Sequence, residues 1–145
     1  MGRVYTVRNQ TAGAAAIKTF ISWAAAANAV VKLRGMQIGN TAATAAQGTE
    51  WELLRKSVNV TGTAQTPSPV DPDAIASRFT ALSTVTAEGT DSTVIAEYGF
   101  DIVGTYVLWF PPGTEPLAVN SGILAIRKTV GADTTNWAIT LWIDE

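Results

Sequence analysis

Residues 106–112 read YVLWFPP, five apolar side chains in a row closed by a double proline. A half-buried strand alternates apolar with polar residues, because successive side chains point to opposite faces of a sheet. Here Tyr106, Leu108 and Phe110 share one face, while Val107 and Trp109 share the other. If the first face meets a core, the second needs a cover of its own. The prolines end the run, since proline cannot donate to a β-ladder.

The same pattern returns at the C-terminus in NWAITLWIDE. Trp137, Ile139, Leu141 and Ile143 fall on one face and read as core; Trp142 falls on the other with Ala138 and Thr140. Two strands therefore each present a tryptophan on the face that a lone sandwich leaves in water. Burying one such ring is worth a few kcal/mol, at ~25 cal/mol per Å² over ~150–250 Å². A subunit interface explains this pair better than a sugar-binding platform does, and both readings stand as hypotheses.

Other segments carry period-two alternation. In AVVKLRGMQIGN, Val31 and Leu33 point inward and Lys32 and Arg34 outward, and the apolar phase shifts after Gly35 to Met36 and Ile38, as at a β-bulge. In EWELLRKSVNV, Trp51, Leu53 and Arg55 oppose Glu52, Leu54, Lys56 and Val58. The alanine-rich residues 11–31 fit a helix, but IKTFISW sets Ile17, Thr19, Ile21 and Trp23 on one face with residues that suit a pleated surface, which favours a strand at about residues 17–23. Further runs are ASRFTALSTVT, STVIAEYGF, IVGTYVLWF, LAVNSGILAIRKT and NWAITLWID, with Asp101 at a junction or a bend. The sequence TGTAQTPSPVDPDA, residues 61–74, holds Pro67, Pro69 and Pro72 and is expected to run outside the sheets as a long loop. About eight or nine short strands and no convincing amphipathic helix point to an all-β sandwich or barrel in one domain, residues 1–145.

Composition narrows the function. The chain has no cysteine and no histidine, which removes disulfides, thiolate metal sites and the commonest general base together. Charged residues are 15% of the chain and the net charge is −2, so the exterior is poor in the charges that keep a monomer soluble. The ten basic residues are scattered, unlike a phosphate-binding face. No apolar run approaches the ~18 residues of a membrane helix, and the N-terminus has no export-signal pattern. MGRVYT fits the loose myristoylation pattern, but Val4, Tyr5 and Val7 look like a strand.

Candidate chemistry is sparse. Lys18 with Ser22, and Lys56 with Ser57, are the Ser–Lys pairs near in sequence. Glu50 with Glu52, Asp71 with Asp73, and Glu97 with Asp101 are the paired carboxylates. Glu50 and Glu52 read as a solvated edge, and Asp71-Pro-Asp73 as a turn that is also a weak calcium candidate. GMQIGN and GTYVLWFPPG do not open helices and so do not cradle phosphate. The sequons at Asn9 and Asn59 read as coincidental in a chain without an export signal. An enzyme is not expected, nor is a cofactor.

The order of pieces, KLRGMQIG, then LLRKSV, then TPSPVDPD, then GILAIRKT and WAITLWIDE, resembles the small β-sandwich virion proteins of tailed phages. It is similar to the jelly-roll decoration, or cement, proteins that bind outside the capsid lattice as trimers, over about residues 3–145. The resemblance implies a jelly-roll-like sandwich of about eight strands with a short N-terminal arm at residues 1–16. It implies a homotrimer on the virion exterior, made in the host cytoplasm, with itself and the major capsid protein as partners and neither nucleic acid nor membrane. It carries no active-site residues, and a phage tail, fibre or minor capsid component is the alternative within the same class. The residues expected at a subunit or capsid interface are Trp109, Trp142, Val107, Pro67, Pro69 and Pro72.

Overall fold

A computed structural model describes residues 2–13, 16–43, 46–73, 75–130 and 135–145. Among these, twelve strands and no helix form two antiparallel sheets. In sheet A the strands are β1 (Val4–Ala12), β3 (Val30–Asn40), β6 (Ser68–Pro69), β9 (Thr105–Trp109), β10 (Leu117–Val119) and β12 (Asn136–Asp144). Sheet B holds β2 (Lys18–Ala25), β4 (Gly48–Val58), β5 (Thr61–Gln65), β7 (Phe79–Ala87), β8 (Thr90–Asp101) and β11 (Ile123–Val130). The order is β10-β3-β12-β1-β6 in A, with β9 also on β3, and β5-β7-β2-β11-β4-β8 in B.

The two sheets share one apolar core. From sheet A it takes Tyr5, Val7, Leu33, Met36, Ile38 and alternate residues of β12; from sheet B it takes Phe20, Ile21, Trp23, Trp51, Leu53, Leu124 and Ile126. Trp51 meets Trp137 across the sandwich with ring centroids 5.0 Å apart, and Phe20 lies 4.9 Å from Trp51 on the other side. The face of YVLWF carrying Tyr106, Leu108 and Phe110 packs against this core, as read from the sequence.

β2 is a strand, so the alanine-rich stretch is not a helix where it is described, although its faces differ from the alternation expected. Ile126 pairs with Ile21 and Arg127 with Thr19, leaving Phe20 as an extra residue. This bulge turns Phe20 and Ile21 both toward the core and Thr19 to the other face of sheet B, where it is buried and donates to the Glu88 carboxylate. It also frees the Phe20 carbonyl, which accepts a hydrogen bond from Asn9 Nδ2 of the opposite sheet at 2.8 Å.

Several expectations are corrected. The strand count is twelve, not about eight, because one run breaks in two and one presumed loop supplies two strands. LAVNSGILAIRKT splits into β10 and β11 where Asn120 and Ser121 take positive φ (49° and 68°), which sends its halves to different sheets. The stretch expected to run outside the sheets as residues 61–74 is partly paired: β5 pairs with β7, and Ser68 and Pro69 pair with Thr6 and Tyr5, while residue 74 lies outside the described residues. Proline is tolerated there because β6 is an edge. Residues 4–12 are no arm either, since β1 is bonded on one side to β12 and on the other to β6. Glu50 and Glu52 lie on β4, which runs between β11 and β8 and is not an edge.

Sheet B curls strongly. β4 and β5 are four places apart in its order, roughly 19 Å if flat at ~4.8 Å per strand. The chain from Val58 to Thr61 reaches only about 10 Å. β7 and β8 likewise sit near opposite edges and are joined through Glu88 and Gly89. The curl buries part of the second face of sheet B, where Leu54, Ala125, Ser22 and Lys56 are inaccessible. Among the described residues, sheet A has no such cover, and Trp109 and Val107 on its outer face are exposed.

Candidate docking surface

The outward face of sheet A is built around Gly35. Trp142 pairs with Gly35 and Ile143 with Leu33, so Arg34 is the extra residue of a bulge at the phase shift seen in KLRGMQIG. On its other edge Gly35 pairs with Trp109 of β9. Opposed residues point to the same face of a sheet, so both indoles rise over one glycine. Their centroids lie 4.7 Å apart at an interplanar angle of 37°. A Cβ on Gly35 would stand 2.5 Å from Trp109 Cε3 and 2.9 Å from the Leu108 carbonyl oxygen. Only glycine leaves room for the pair to close.

Trp109 is 56% exposed, Val107 is exposed and Trp142 is half-buried. The row through the pair crosses the sheet as Ser68, Thr6, Trp142, Gly35 and Trp109. The next row is Arg8, Thr140, Gln37 and Val107. Apart from Arg8, these rows carry no charge.

Beside the pair, Arg34 fixes the double-proline turn. Its Nε and Nη2 donate to Asp144 Oδ2 at 3.1 and 2.7 Å, and Nη1 donates to Glu115 Oε1 at 3.2 Å. Backbone bonds complete the joint, Phe110 N–H to the Arg34 carbonyl and Leu33 N–H to the Pro116 carbonyl. Backbone N–H groups at Glu115 and Gly113, aided by Arg34, hold the Glu115 carboxyl below its usual range. Trp109 thus projects from a stiff base. Arg34, Gly35, Glu115 and Asp144 were not singled out as site residues from the sequence; the glycine at the phase shift was the available signal.

No family model, curated protein or solved structure matches this chain.

Of the residues expected at an interface, Val107, Trp109 and Trp142 come together. Pro67, Pro69 and Pro72 do not join them. Pro69 pairs with Tyr5 at the far edge of sheet A, with β1 and β12 between it and Gly35, and Pro72 follows in an exposed turn.

The remaining candidates resolve into structural roles. Lys56 Nζ donates to the Glu88 carbonyl and to Asp91 Oδ1, both at 2.7 Å, while Ser57 Oγ turns to the Thr90 carbonyl. Lys18 Nζ reaches the Ala12 carbonyl, and Ser22 Oγ bonds Asn59 Oδ1 at 2.8 Å. Neither Ser–Lys pair is joined. Asp71 Oδ1 accepts the Asp73 N–H at 3.0 Å and Asp101 Oδ1 accepts the Val103 N–H at 2.9 Å, so both aspartates serve turns. Among the described residues, no group of three or more His, Cys, Asp or Glu could hold a metal ion. Glu52 opposes Glu97 across β4 and β8 and is held by the Arg127 guanidinium. These residues border an open pocket of about 470 Å³ on the outer face of sheet B, lined also by Glu50, Gly99, Ile17 and Val130.

Proposed function

We propose that this chain is a non-catalytic structural protein that docks on other protein chains through the outward face of sheet A, and that it is a decoration protein on the exterior of a tailed-phage capsid. The docking reading is carried by one observation: the Trp109–Trp142 pair, held open to solvent over Gly35. Large exposed aromatic surface on a rigid base is what protein interfaces place at their centres.

The capsid half of the proposal rests on the sequence resemblance. The strand order supports it. The frame β1-β12-β3-β9 faces β2-β11-β4-β8, so that first and last strands pair and successive frame strands alternate between sheets except β4 and β8, which pair with each other. That favours a jelly roll, an architecture used by viral capsid and lectin domains; β5, β6 and β7 then form an insertion before its fifth frame strand. A protein bound across capsid subunits contributes binding energy that the shell must lose before it opens, so the shell is stabilised by linkage.

Glycan binding is the second reading, favoured by the same exposed rings. The tilt weighs against it, because each indole gives part of a face to the other and the pair forms a knob instead of a plate. Co-sedimentation with phage shells tests the first reading: Trp109→Ala and Trp142→Ala should release the protein from shells that retain the parent chain. Saturable quenching of tryptophan fluorescence by a glycan, with no shell binding, would replace it with the second.

A further inference from the structure

The two outer faces of the sandwich differ in charge and shape. On sheet A, Arg8 is exposed and has no hydrogen-bond or ion-pair partner among the described residues. It stands diagonal to Trp142, on the strand pair where Thr6 opposes Trp142 and Arg8 opposes Thr140; such diagonals are ~7–8 Å. Lys32, two residues before Arg34, adds a second cation to this face. The acids here, Asp144 and Glu115, are nine-tenths buried and already held by Arg34. The knob therefore carries a net positive flank.

The pocket on sheet B has the opposite character. Glu50 and Glu97 are exposed and their carboxylates have no partner among the described residues. Arg127, the cation in the lining, is committed to Glu52 and Asp91. Gly99 opposes Glu50 with no side chain, and a Cβ there would meet nothing closer than 3.9 Å. Glycine is not forced by crowding at this position, and its effect is to deepen the hollow. The rim carries Ile17 and Val130, both about half exposed. A hollow with free carboxylates and an apolar rim complements a knob of two indoles with a free guanidinium.

We infer that the occupant of this pocket is a second copy of the same chain, with Trp109, Trp142 and Arg8 of one molecule seated against Glu50, Glu97, Ile17 and Val130 of the next. This rests on the docking reading above and names its partner. The contact is heterologous, face A to face B, and so generates a ring where the rotation closes. The Arg8 carboxylate pairs supply orientation and rate of association, and the apolar contact supplies most of the affinity.

The test is light scattering coupled to size exclusion on the full chain and its charge-reversed variants. The parent chain is expected to be an oligomer. Arg8→Glu alone, and Glu50→Lys with Glu97→Lys, should each weaken association by about tenfold or more. All three reversals in one chain restore complementarity and should restore the oligomer, which also shows that the variants fold. A monomeric parent chain, single reversals without effect, or a triple variant that stays dissociated would each overturn the inference. If Trp109→Ala dissociates an oligomer that ignores both reversals, the docking face stands and its pairing with the pocket fails.

Discussion

Trp109 and Trp142 lie on strands that share no hydrogen bond, yet their rings meet with centroids 4.7 Å apart. The strand between them contributes Gly35 at that level, and the missing side chain is the space the rings occupy. Gly35→Ala should therefore separate the indoles without removing either. Overpacking of this kind costs ~1–3 kcal/mol. Near-UV circular dichroism should change while the far-UV spectrum persists, and urea unfolding should report the loss. An unchanged near-UV signal would mean that the rings do not depend on the glycine.

The five tryptophans should divide into two classes. Trp23, Trp51 and Trp137 are fully buried, so Trp137→Ala is expected to cost ~3–5 kcal/mol and to threaten folding. Trp109→Ala loses a ring that is 56% exposed. Its cost to the isolated chain is expected near the ~0.5–1.5 kcal/mol of an aromatic pair. Thermal unfolding of the two variants side by side checks the division, and a Trp109 variant as unstable as the Trp137 variant would return that ring to the core.

How much of this was legible depends on whether a strand has one wet face. β12 and the outer half of YVLWF alternate cleanly, so the outward direction of Trp109 and Trp142 could be read from the chain. That the two rings touch could not, because it follows from strand order, which puts residues 35, 109 and 142 in one row. The bulge at Arg34 announced itself through a glycine and a phase change. The bulge at Phe20 did not, since its neighbours are all residues that suit a strand on either face. β5 was missed because TGTAQ is an exposed edge strand with no apolar stripe to reveal it.

The Asn9 amide tests that hidden bulge. Asn9 sits among core residues on β1 and its Nδ2 bonds the carbonyl that the bulge leaves unpaired. Asn9→Ala leaves a buried acceptor without a donor, at ~1–3 kcal/mol. Asn9→Leu, which fills the volume but not the hydrogen bond, should be no better than alanine if the bond matters. Rescue by leucine would assign the residue to packing alone. Chemical denaturation of both variants distinguishes the cases.

The buried ammonium of Lys56 makes stability sensitive to acid through Asp91. Burial raises the Asp91 carboxyl pKa, but the hydrogen bonds from Lys56 and Arg127 outweigh it and hold the carboxyl below its usual range. A carboxyl whose folded-state pKa is depressed contributes stability above its unfolded pKa and loses it as pH falls through the folded value. That contribution should be whole at pH 5 and vanish on acidification below about 4. Asp91→Asn removes it at every pH. At neutral pH the variant should be less stable by ~1–3 kcal/mol, because Lys56 keeps the Glu88 carbonyl but loses its close carboxylate. Once pH has fallen through the folded-state pKa of Asp91, the two proteins should converge in urea midpoint. A constant gap between them across that range would show that Asp91 acts through packing and not through its charge.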